Sequence, residues 1–134
     1  MNSALTSDTP TDLNTQLDIE LVDDSILQQM IRDTSAEVIP ILIDHYVEES
    51  QNRIAAIKQA AISQDSESLE FELHILGSTA LALGNRPLSK LSRNLERQCL
   101  EQRYDVAFSQ VDALLTLAER SIQALLYRKD QGFT

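Results

Sequence analysis

Apolar residues recur along this chain in the three- and four-residue steps of amphipathic helices, most clearly at Leu69, Leu73, Leu76, Ala80 and Leu83. These positions share one helical face and predict a buried seam in a helix that begins at Asp65 or Ser66 and runs to about residue 83. The same spacing predicts three further long elements. Ile39, Ile43, Tyr46, Ile54, Ile57 and Ala61, interrupted by Ser50, line one face of a helix whose other face carries Asp44, Glu48, Glu49, Gln51 and Lys58. Leu88, Leu91, Leu95 and Cys99 define the inner side of a helix over 87–102, opposite Lys90, Arg93, Glu96 and Arg97. Tyr104, Phe108, Val111, Leu114, Leu115, Ala118, Ile122 and Leu125 give the stripe of a last helix over 104–128. A short first helix over 24–33 follows from Ile26, Leu27, Met30 and Ile31, with Asp24 or Ser25 as its cap.

The breaks agree with these elements. Thr34-Ser35-Ala36-Glu37 has the spacing of a capping box for the long second helix, and Pro40, beyond the first turn of a helix starting there, predicts a kink or a late regular start. Ser63-Gln64-Asp65-Ser66 is a polar link. Gly84 is placed to end the central helix as a left-handed cap, and Asn85-Arg86-Pro87 forms a short connection with Pro87 at the next helix's first position. Four long helices joined by short links imply an all-α, antiparallel up-down four-helix bundle, with the short extra N-terminal helix over one end. The expected domain covers 18–128. Residues 1–17 are too polar to offset the entropy of ordering and read as a mobile tail, and 129–134 as a C-terminal tail.

Composition narrows the function classes. With 134 residues, three glycines, three prolines and apolar residues drawn mainly from Leu, Ile and Ala, strands have little support. A net charge of -10 argues against a nucleic-acid partner, whose affinity requires clustered Lys and Arg. The absence of a bilayer-length apolar run and of signal-peptide features predicts no membrane association and a cytoplasmic protein. The single cysteine, Cys99, has no partner thiol for a disulfide or redox motif. No glycine-rich phosphate loop of Walker or kinase type is present, so ATP binding is not expected.

Candidate chemistry centres on His74, one of two histidines, set about 100° from the apolar seam of the central helix. Gly77 and Ser78 lie one turn on, and their small size predicts open space beside the imidazole. Gly77 costs about 1 kcal/mol relative to Ala in a helix interior, which suggests that the space is used. Ile75, Leu81 and Phe71 border the same region as an expected docking patch. Glu70 and His74 share a helical face but are only two ligands, too few for a metal site, and His45 beside Asp44 and Glu48 reads as a surface residue. A neutral imidazole so placed can attack an acyl phosphate in line.

These residues resemble the histidine-containing phosphotransfer domains of multistep phosphorelays, whose motif runs roughly His-x-Leu-Lys-Gly-Ser-Ser-x-x-Leu-Gly. Laid on that pattern without gaps, His74 matches the phosphorylated histidine, Leu76 the core leucine, and Leu83 and Gly84 the closing Leu-Gly. The segment 38–46 is similar to quorum-sensing phosphotransfer proteins of marine bacteria. The resemblance implies a four-helix bundle and a phosphoryl group accepted on His74 from one receiver-domain aspartate and passed to another. The implied partners are response-regulator receiver domains and a hybrid sensor kinase. It further implies no cofactor of the chain's own, Mg²⁺ on the receiver partner, and a monomer, since one exposed histidine suffices. A sensor-kinase fragment fits less well, because Ile75 follows His74 where an acidic residue is usual. Two departures stand out: Gly77 occupies the usual lysine position and Ser78 the usual glycine position. In the family that lysine holds phosphoryl oxygens, so its charge would have to come from Lys58, Arg86, Lys90, Arg93 or the partner, with Ser78 as a possible hydrogen-bond donor. The alternative reading is a non-catalytic adaptor that binds receivers without chemistry.

Overall fold

The computed structural model describes residues 21–133, so the expected 1–17 tail lies outside the described residues. Six helices follow Leu21–Asp23: α1 (Asp24–Asp33), α2 (Ile39–Ser63), α3 (Ser66–Ala82), α4 (Arg86–Leu100), α5 (Tyr104–Ser109) and α6 (Val111–Asp130). The links Gln64–Asp65, Leu83–Asn85 and Glu101–Arg103 are too short to let successive helices separate. Accordingly α2 packs on α3, α3 on α4, α4 on α6, and α6 back on α2, closing a four-helix ring. The predicted seams form its core, with Ile39, Ile43, Ile57, Leu69, Leu73, Leu76, Leu88, Leu95, Leu114, Ile122 and Leu125 all buried. The short α1 lies against α2 and buries Leu27.

Several expectations are corrected. The capping box does not form, because the Thr34 hydroxyl donates to the Met30 carbonyl at 2.6 Å and so serves the end of α1. A turn over 36–38 delays the start of α2 to Ile39, which puts Pro40 in the first turn, where its missing N–H leaves no bond unmade. The cap of α1 is Asp23, whose carboxylate accepts the Ser25 N–H at 3.0 Å. Arg86 begins α4, one residue before Pro87. The last stripe is split at Gln110, whose N–H bonds to Ala107 at 3.1 Å in a tighter turn while the Ser109 hydroxyl takes the Val106 carbonyl. Ala107 replaces the exposed Tyr104 in the buried face. At the C-terminus α6 continues to Asp130, and Arg128 stacks over the Phe133 ring.

Gly84 ends α3 as expected. At φ +89° it permits the paired bonds Gly84 N–H to Leu81 and Asn85 N–H to Ala80 that close a helix with a left-handed residue. It also touches the chain entering α1: its carbonyl accepts the Asp23 N–H at 2.8 Å, and an added Cβ would sit 3.1 Å from the Asp23 carbonyl oxygen. Beside it the fully buried Asn85 accepts from the Tyr46 hydroxyl at 2.8 Å and donates to the carbonyls of Leu21 and Ser121 at 2.9 and 3.3 Å. One amide thus joins α2, the α3–α4 link, the entering chain and α6. Burial pushes the Tyr46 phenol above its usual range, so it remains a neutral donor.

Asn85→Ala strands a buried hydroxyl and carbonyls together. It should destabilise the fold by about 2–4 kcal/mol in urea titration, and Tyr46→Phe by less. The Ser25 bonds and the Arg86 guanidinium hold the Asp23 carboxyl below its usual range. A lowered carboxyl stabilises fully above its unfolded value of about 3.9 and loses that contribution as pH falls through its folded value. The thermal stability advantage over Asp23→Asn should therefore be greatest near neutrality and shrink as acid protonates the carboxyl.

Candidate functional site

Asp65 starts α3 by accepting the Ser68 N–H at 3.1 Å, and the helix phase that follows turns Leu69, Leu73, Leu76 and Ala80 inward. The two flanks of α3 then face different neighbours. On one, Glu72 accepts from Arg53 of α2 at 2.8 Å. On the other, His74 faces α4, with Nδ1 2.8 Å from Oε2 of Glu96. The imidazole is 66% exposed and the Glu96 side chain only 19%, so the carboxylate is sheltered beneath a ring that reaches solvent. When Nδ1 carries the proton that Glu96 accepts, the lone pair is on Nε2. The arrangement is an oriented imidazole with one free nitrogen.

Glu96 is the site residue that the sequence pattern misses. Its position on α4 places it with Lys90, Arg93 and Arg97 on the polar side, and periodicity within one helix does not report which residue of a neighbouring helix it meets.

Gly77 also differs from expectation. It is buried, not an opening beside His74, and it faces α4. A Cβ there would lie 3.1 Å from Arg93 Cγ and 3.5 Å from Ser92 Cβ, and the buried Ser89 hydroxyl donates to the Gly77 carbonyl at 2.7 Å. The absent side chain permits close helix approach. Ser78 is exposed, but its hydroxyl donates back to the His74 carbonyl at 3.2 Å. Leu81, 41% exposed, joins Arg86, Pro87, Ser89, Lys90 and Arg93 around an open hollow between α3 and α4. Gly84 is three helical turns from His74 and shapes the end of the bundle.

The four candidate cations separate. Lys58 stands exposed on α2, which packs on the Glu72 flank of α3. Arg86 is engaged by Asp23 at 2.9 Å. Lys90 and Arg93 remain beside the hollow, and Arg93 Nε donates to the Ser89 hydroxyl at 3.3 Å. On the α2 side of α3, Ile75 and Thr79 border a groove of about 460 Å³ with Met30, Leu42 and Leu83, and exposed His45 lies at its edge. Phe71 is 60% exposed. Burial, reinforced by the charges of Glu70 and Glu96, raises the Cys99 thiol above its usual range, leaving it protonated. Among the described residues no three His, Cys, Asp or Glu side chains converge as metal ligands would, and no helix is long and apolar enough to cross a membrane.

Because Gly77 is buried against α4 and Ser78 is exposed, bulk should be tolerated unequally. Gly77→Leu should lower stability by about 1–3 kcal/mol through overpacking, whereas Ser78→Leu should change it by under about 0.5 kcal/mol, both read by thermal and urea melts.

The family model of the Hpt domain matches residues 41–125, which span α2 through most of α6. No curated protein matches the sequence. The fold is similar to the crystal structure of histidine-containing phosphotransfer protein B (HptB) from Pseudomonas aeruginosa PAO1, with a TM-score of 0.70 and 20% identity over 82% of this chain and 93% of that one. With His74 oriented on the exposed flank of the second bundle helix and the family match covering most of the described chain, the protein belongs to the Hpt domain family.

Proposed function

We propose that His74 is the phosphorylated residue of a phosphorelay intermediate, accepting the group from a receiver-domain aspartate and passing it to a second receiver. Family membership supports a phosphotransfer role in a phosphorelay. The observation that carries the finer reading is the His74–Glu96 contact at 2.8 Å, with the imidazole exposed.

The chemistry needs little else from this chain. Nε2 attacks phosphorus in line, its lone pair forming the N–P bond while the P–O bond to the aspartate breaks and that electron pair stays on the carboxylate. The ring gains a positive charge, spread toward Nδ1–H, where the Glu96 carboxylate stabilises it. Glu96 is a positioning residue that also fixes the tautomer. On return the same steps reverse onto a second aspartate. Magnesium is supplied by the receiver, which also brings the charge that offsets the moving phosphoryl group. Ile75, Phe71 and Leu81 give the receiver an apolar footing around the histidine. A monomer in the cytoplasm meets these needs, with a hybrid sensor kinase as the upstream source.

The adaptor reading rests on Gly77 in place of lysine. The oriented imidazole weighs against it, since binding alone has no need of a tautomer held by a sheltered carboxylate.

Incubation with a receiver carrying labelled aspartyl phosphate should give an acid-labile, alkali-stable label on this chain. His74→Gln should abolish it without loss of helix content, and Glu96→Gln should slow transfer by about tenfold. Tight receiver binding with no label on His74 would establish the adaptor instead.

A further inference from the structure

We infer that Arg93, reaching across from α4, is the cation that holds the phosphoryl group on His74, doing from a neighbouring helix what a side chain at position 77 cannot. The inference rests on phosphorylation of His74 as proposed above. It starts from a charge problem. A phosphoryl group on Nε2 brings two negative charges to a chain already at -10, on a ring whose other nitrogen is 2.8 Å from a carboxylate. Such a dianion needs a nearby cation.

The packing of α3 on α4 supplies one. Glu96 stands beside His74 and Arg93 beside Gly77, so the two pairs are one turn apart on antiparallel helices. The Arg93 stem crosses the bare backbone of Gly77, with Cγ only 3.1 Å from where a Cβ would be. Nε donates to the Ser89 hydroxyl at 3.3 Å, and Ser89 donates in turn to the Gly77 carbonyl at 2.7 Å, which tethers the stem. Among the described residues no carboxylate pairs with the Arg93 guanidinium, whereas Arg53, Arg86, Arg128 and Lys129 are each engaged by one. Among the described residues its terminal N–H donors have no hydrogen-bond partner, and they form a planar fork suited to phosphoryl oxygens. Gly77 and Arg93 form one device: the glycine makes room, and the arginine uses it.

A small chemical donor tests this without any receiver. The full chain is loaded with phosphoramidate, and hydrolysis of phosphohistidine is followed by phosphorus NMR and phosphate release. Arg93→Ala should shorten the half-life of the phosphorylated form by about fivefold, and Arg93→Lys by less. Lys90→Ala and Arg97→Ala, which alter the adjacent cations, should leave it within about twofold. Moving the charge gives the sharpest test. Gly77→Lys combined with Arg93→Ala removes the side chain that the new Cβ would strike, and should restore the half-life to within about twofold of the parent. An unchanged half-life in Arg93→Ala, with the fold intact by circular dichroism, would overturn the inference. So would shortening by Lys90→Ala or Arg97→Ala in its place, or failure of phosphoramidate to label His74. Labelling that depends on Arg93, with no exchange to or from a receiver, would uphold the inference and refute the relay.

Discussion

Where α3 passes α4, the missing side chain of Gly77 lets the helices approach until the buried Ser89 hydroxyl donates to the Gly77 carbonyl at 2.7 Å. A bond of that length between two helices fixes their axial register as well as their separation. With the register fixed, Glu96 falls opposite His74 and Arg93 opposite Gly77, which no property of either helix alone would ensure. The glycine costs helix propensity, about 1 kcal/mol relative to alanine. The contact it permits sets the orientation of the imidazole one turn away.

A second set of contacts holds the end of the bundle. Asn85 joins Tyr46, Leu21 and Ser121 through its amide, and Gly84 receives the chain that enters α1. These polar groups are buried and cannot be hydrated, so each depends on the others being in place. Through them α1 is kept against α2, and Met30 against the groove that continues to Ile75. The histidine is thus flanked on one side by a polar register contact and on the other by an apolar groove.

The buried seams were legible because burial of a helix face follows from the periodicity of that helix. Gly84 was legible because a left-handed cap is a local backbone requirement. Other features depend on competition or on a second element. Thr34 fits the end of one helix as well as the start of the next, and the Met30 carbonyl wins its hydroxyl. The break at Gln110 leaves the stripe in phase, from Ala107 through Val111 to Leu114, so a pattern of burial does not reveal it. A glycine in a helix signals either an opening or a close contact, and only the presence of Arg93 and Ser92 over Gly77 selects the second. His74 stood out through its isolation among apolar residues. Glu96 did not, because it lies 22 positions away and acts through interhelical register.

The cations of α4 give the molecule an electrical orientation. Arg86, Lys90 and Arg93 border one hollow of a chain whose net charge is -10, and of the three only Arg86 is paired with a carboxylate among the described residues. Unpaired cations gathered in one place attract an anion more strongly there than elsewhere on an acidic chain. That attraction is screened by salt, so it weakens as ionic strength rises.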